Sequence, residues 1–176
     1  VNYDNMKRIY VLLRAGHVTR MHAVQTLKQH TIAEHVYGMQ VWALELCKVN
    51  EVTPGKVLEA IVYHDAPECD IGDMPANIKK NNRKIELEME RLEQDFFLTN
   101  GIGIPTMSII ELAIVDAADR LDLAQLCLEE YFLGNSGKMI SIIFDRACEY
   151  ALASDPLPLG VSNMVAELRK EWCQHA

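Results

Sequence analysis

His35, the adjacent pair His64-Asp65, and Asp119 are the residues of this chain whose types could do chemistry together. Imidazole and carboxylate are ligands that suit zinc, manganese, cobalt, nickel or iron. Each falls inside or at the end of a different predicted helix, and facing helices of a bundle commonly build metal sites. Glu68 follows His64 by four residues, so one helical turn would stack the two. Taken singly, such residues are ordinary. A histidine beside an apolar run is usually a core or surface residue, and an aspartate in a helix is usually solvated or a cap. Asp119 is more telling, because Asp116 and Asp122 flank it in an otherwise apolar segment. Three buried carboxylates there would be costly unless paired or metal-bound; the other reading is a solvated stripe.

The elements that must position these residues read as helical almost throughout. Asn5 to Ala15 is a helix stopped by Gly16. Thr31 with Glu34 has capping-box spacing and opens a helix running to about Val49. Thr53-Pro54 reads as an N-cap with proline at the first helical position of a helix ending near His64. Asn82 to Thr99, Thr106 to Phe132, Met139 to Ala153 and Val161 to Gln174 complete the set. No segment shows strand-like alternation. The expected fold class is all-α, one domain over residues 1–176.

Composition sets the outer limits. The chain has 176 residues with a net charge of −8, and a dedicated nucleic-acid-binding domain is usually strongly basic. Five scattered cysteines without a CxxC pair argue against a disulfide framework or a thiolate zinc site, and point to a reducing compartment. No apolar run reaches the ~20 residues needed to span a bilayer. Residues 1–4 lack the layout of a signal peptide. These features lead to the expectation of a cytoplasmic protein with no membrane and no nucleic-acid partner. The charge is uneven. Asn5–Ala33 and Met74–Ile85 contain no acid and hold nine of the 17 basic residues, Arg20 and Lys79 among them.

His35, His64-Asp65 and Asp119 match the H…HD…D pattern of the HD-domain metal-dependent phosphohydrolases. The likeness extends to Arg20-Met21, Thr31-Ile32-Ala33-Glu34-His35, Tyr63-His64-Asp65-Ala66-Pro67-Glu68, Gly72-Asp73-Met74-Pro75, Lys79 and Ala118-Asp119. These segments resemble the bacterial HD-domain 5′-deoxynucleotidases. They are also similar to the small phage HD proteins that act as dATP triphosphohydrolases in phages using 2-aminoadenine DNA. The resemblance implies a helical bundle of the HD-domain type. It implies a divalent metal (zinc, cobalt, manganese or magnesium) on His35, His64, Asp65 and Asp119. It implies Glu68 and Asp73 as catalytic carboxylates, one a general base and the other an orienting group or acid. Arg20 and Lys79 become phosphate contacts, and Met21 a contact to the sugar or base. A small deoxynucleotide substrate and assembly into a homo-oligomer follow from the same likeness.

One position departs from the pattern. The bacterial nucleotidases carry tryptophan after the arginine, where this chain has Met21 and then His22. Methionine fills the space adaptably but defines the contact less. The chain is also close in size to the phage enzymes. The expected activity is therefore hydrolysis of dATP to deoxyadenosine and triphosphate. The alternatives are a 5′-deoxynucleotidase acting on monophosphates and, in another class, a helical binding module with a structural metal site.

Overall fold

The computed structural model describes residues 3–74 and 82–175. Helix α1 spans Tyr3–Ala15, α2 Ile32–Val49, α3 Gly55–Tyr63, α4 Glu68–Ile71, α5 Arg83–Thr99, α6 Ile109–Phe132, α7 Lys138–Leu152 and α8 Val161–His175. The all-α reading is correct. A two-residue pair, β1 Thr19–Arg20 and β2 His30–Thr31, is the exception. It is antiparallel, with Arg20 opposite His30, and too short to leave a period in the sequence.

Capping sets the helix starts. Thr31 accepts from the Glu34 amide at 3.3 Å while its own amide donates to the Glu34 carboxylate at 3.0 Å. This is the expected capping box. A second box opens α6, which starts at Ile109 and not at Thr106. The Ser108 amide donates to Glu111 at 2.6 Å, and the Glu111 amide donates to Ser108 Oγ at 3.3 Å. Thr53 does not cap α3. Pro54 stands at the N-cap in helical conformation without a side-chain bond, and its carbonyl accepts from Leu58 N at 2.9 Å.

Helix α6 is the axis of the bundle. It packs against α7, α2, α8 and α3. Its residues are buried around most of the circumference, as expected of a helix apolar on nearly every side. The main core joins Met39 and Leu46 of α2, Ile61 of α3, Ile114 and Leu121 of α6, and Phe144 of α7. A second cluster of Ala15, Ala66, Phe96 and Ile102 holds α1 and α5 against the turn after α3. Among the described residues no helix is long and apolar enough to cross a membrane.

Candidate metal centre

The first turn of α2, the end of α3 and the middle of α6 meet at one point. His35, on α2, is 1% exposed. Its Nε2 lies 3.3 Å from Asp119 Oδ1 and 3.5 Å from Asp65 Oδ2. His64 caps the C-terminus of α3, and its ring lies 6.2 Å from that of His35, centroid to centroid. His64 Nδ1 lies 2.7 Å from Asp65 Oδ1, which leaves Nε2 as the ring nitrogen that could bind a cation once it has given up its proton. One ligand-capable atom each from His35, His64 and Asp65 lie within 4.8 Å of one another. The four residues singled out in the sequence are thus brought together, from α2, α6 and the turn that ends α3.

The donor set fits a divalent cation. His35 Nε2 is buried and has no hydrogen-bond partner, although two carboxylates face it. Buried polar atoms are almost always satisfied, so an orphaned imidazole nitrogen aimed between carboxylate oxygens is what a ligand atom looks like. Two nitrogens and two carboxylates suit the first-row transition metals.

Charge is balanced by the surroundings. Arg20, at the end of β1, donates to Asp65, and its second nitrogen lies 3.9 Å from Asp119. Arg120 lies 2.9 Å from the other Asp119 oxygen. Burial works against the ionised form of Asp119, but His35, His64 and Arg120 outweigh it and hold the carboxyl down to about 2. Asp65 is likewise lowered: desolvation opposes ionisation, and His64 and Arg20 overcome it. His64 is raised to about 9, because Asp65 and Asp119 outweigh its desolvation. Its side chain keeps 34% of its surface accessible, so solvent moderates these fields more than at His35.

The proposed carboxylates occupy different places. Glu68 opens α4, its amide bonded to the Asp65 carbonyl at 3.0 Å. The chain from His64 to Pro67 is a turn and not a continuous helix, so the simple stacking over His64 is replaced by a tighter corner. Asp73 lies just beyond α4 and accepts from the Met21 amide at 3.0 Å; His22 Nδ1 is 3.5 Å from the same oxygen. Met21 itself has φ +55. A side chain in that left-handed region is strained by roughly 1–2 kcal/mol, and the Asp73 bond helps hold it there. Lys79 lies outside the described residues.

Other residues hold the site without having signalled it. Glu130 is fully buried near the end of α6 and accepts from the amides of Leu27 (2.7 Å) and Lys28 (2.9 Å). Asn135 donates to Glu130 at 2.7 Å and to the Gln25 carbonyl at 3.0 Å. Together they fasten the loop between β1 and β2 to the bundle. Much of the positive charge in the first acid-free stretch serves such internal bonds. Arg14 pairs with Asp70, Lys28 with Glu34, and Lys7 donates to the Thr99 carbonyl. Arg20 is the member of that stretch directed at Asp65 and Asp119.

Residues 8–100 match the family model of the YfbR-like 5′-deoxynucleotidases, more than half of the chain. The chain belongs to this family. A dATP triphosphohydrolase of Salmonella phage PMBT28 is 29% identical over 114 residues, 58% of this chain and 59% of that protein. The chain thus matches less than two thirds of that phage relative's length. A 5′-deoxynucleotidase of Erwinia tasmaniensis is 28% identical over 145 residues, 71% of this chain and 73% of that protein. Among solved structures, a cyanophage S-2L HD phosphohydrolase bound to dA and one catalytic zinc ion superposes with a TM-score of 0.67. It is 17% identical and covers 92% of this chain and 94% of its own. An HD-domain phosphohydrolase of Listeria innocua also gives 0.67, at 18% identity, over 97% and 96%. These likenesses establish for the YfbR-like chain the helical HD-domain fold.

Proposed function

We propose that this protein is a divalent-metal-dependent phosphohydrolase that cleaves dATP to deoxyadenosine and triphosphate. The observation that carries this reading is the convergence of His35, His64, Asp65 and Asp119 around an unpartnered imidazole nitrogen, with Arg20 at the same carboxylates. In overall reaction, water adds to the α-phosphorus, the bond from that phosphorus to the 5′ oxygen breaks, and the 5′ oxygen takes a proton. A divalent ion on the four ligands would supply a water acidified toward a pKa of about 7 and a Lewis acid for phosphate oxygen. The two imidazoles favour zinc, cobalt or manganese over magnesium.

The chain's own residues divide the remaining work. Glu68, at the corner after Asp65, is the general base. Asp73 is engaged by the Met21 amide and His22, so it orients the Arg20–His22 segment and is not the proton donor. Arg20 offers paired guanidinium donors suited to phosphate, and a cation on Asp65 and Asp119 would compete with it for those oxygens. Met21 borders the sugar and base. Lys79 is a second phosphate contact.

The first relative above acts on dATP, which supports the triphosphate. The family description and the Erwinia relative support a second reading, a 5′-deoxynucleotidase for monophosphates using the same residues. Incubation with dATP and with dAMP in the presence of zinc, cobalt or manganese separates them. Inorganic triphosphate as the first product from dATP is the expected result. Cleavage of dAMP with dATP left intact establishes the second reading instead.

A further inference from the structure

Asp122 is a buried carboxylate for which the proposed reaction has no direct use. It is 7% exposed and sits one turn beyond Asp119 on α6. Its Oδ2 lies 2.6 Å from His35 Nδ1, on the side of the ring opposite Asp65 and Asp119. An ionised carboxylate only accepts, so the proton of this bond is on Nδ1. Nε2 is thereby turned toward the two other carboxylates, 3.3 Å from Asp119 and 3.5 Å from Asp65. Water cannot set the orientation of a ring that is 1% exposed.

The opposite wall of this bond is Gly38, one turn after His35 on α2. A Cβ at position 38 would stand 1.8 Å from Asp122 Oδ1 and 2.8 Å from its Cγ. Any side chain there would therefore displace the carboxylate. Gly38 is not among the glycines with positive φ, so the backbone does not require it. Glycine in a helix interior also destabilises relative to alanine. The space it leaves is the feature that explains it. His30 closes the same recess: it is 7% exposed, and ligand-capable atoms of His30, His35 and Asp122 lie within 4.8 Å of one another.

We propose that Asp122 is a positioning residue that fixes the tautomer and aim of His35 as a metal ligand, and that Gly38 is the residue that admits it. The inference rests on the metal-dependent reading above. A carboxylate on the far nitrogen of a metal-bound histidine holds the ring and raises its basicity, and losing such a partner typically lowers metal affinity about 10–100-fold.

The test uses the full chain stripped of metal, with zinc affinity measured by chelator competition and unfolding of the metal-free protein followed in parallel. Asp122→Asn and Gly38→Ala should each weaken zinc binding by about 10–100-fold. The double variant should lose no more than the weaker-binding single, because both changes remove one bond. Gly55→Ala, where an added Cβ meets open space, should bind zinc like the wild type. In the zinc-loaded wild type, nitrogen NMR should show His35 protonated at Nδ1. Wild-type protein that binds neither zinc nor cobalt overturns the proposed function and this inference with it. Wild-type binding that Asp122→Asn and Gly38→Ala leave unchanged, even with a shifted metal-free melting temperature, overturns the inference alone.

Discussion

The two halves of the candidate site are built in opposite ways. His35, Asp119 and Asp122 belong to long helices of the bundle and are almost wholly buried. Arg20, Met21, His22 and Asp73 belong to a two-residue strand and to loops. In the first half, packing fixes every side chain, and the chemistry depends on balancing charge in a dry environment. In the second half, order comes from individual hydrogen bonds: Asp73 to the Met21 amide, and Glu130 to the amides of Leu27 and Lys28. The division matches the proposed roles. A metal needs rigid ligands, whereas a substrate must enter and leave past a segment that can be adjusted.

Breaking the buried half should have the largest effect. Asp119→Ala removes a candidate ligand and leaves Arg120 without its carboxylate partner. Turnover should fall by roughly 10³-fold or more, the scale of losing transition-state charge stabilisation, and zinc affinity should fall with it. Isothermal titration alongside a phosphate-product assay checks both. Lost activity with intact zinc affinity would remove Asp119 from the ligand set.

The boundary between the halves is sharpened by pH. His64 is partly accessible and is raised to about 9 from 6.5 by Asp65 and Asp119. In the metal-free protein its stabilising charge is fully present below about pH 6.5 and is lost as pH rises through 9. Asp119, held down to about 2, contributes stability above about pH 4 that is lost as pH falls through 2. Metal-free melting temperature should therefore decline between pH 6.5 and 9. Over the same interval zinc affinity should rise, by up to about tenfold per pH unit for each proton released. Affinity that is flat across this window would mean that His64 gives up no proton to the metal.

How much of this was legible in the sequence follows the same division. The helices were readable because apolar spacing and capping residues are local signals: Thr31 with Glu34 capped α2 as its spacing implied. The candidate ligand residues stood out by type and by resemblance, and the fold carries them to one place. The β1–β2 pair was not readable, since its order depends on Glu130 and Asn135, more than a hundred residues away in sequence from the loop they hold. Asp122 was visible only as a flank of Asp119. Its partner Nδ1 belongs to another helix, and the gap at Gly38 that admits it exists only once α2 and α6 pack. Arg14 and Lys28 share the acid-free stretch with Arg20, yet the fold pairs them with Asp70 and Glu34, because nearby acids in space neutralise bases that are isolated in sequence.

Breaking the loop half should have the smallest effect on chemistry and a distinct signature. Glu130→Gln keeps the volume but weakens three bonds, to Leu27, Lys28 and Asn135. A buried hydrogen-bonding group that loses part of its satisfaction costs on the order of 1–3 kcal/mol. The loop lies between Arg20 and His35, so a looser loop spreads the guanidinium over more positions while α2 and α6 keep the ligands in place. KM should rise by roughly tenfold or less, equivalent to about 1.4 kcal/mol of binding, with kcat and zinc affinity nearly unchanged. Hydrogen exchange at the Leu27 and Lys28 amides should quicken in the same variant. A fall in kcat or in zinc affinity as large as the rise in KM would show that the two halves are mechanically one, since a change at the Glu130 tether would then have reached the candidate ligands through the helix it shares with Asp119.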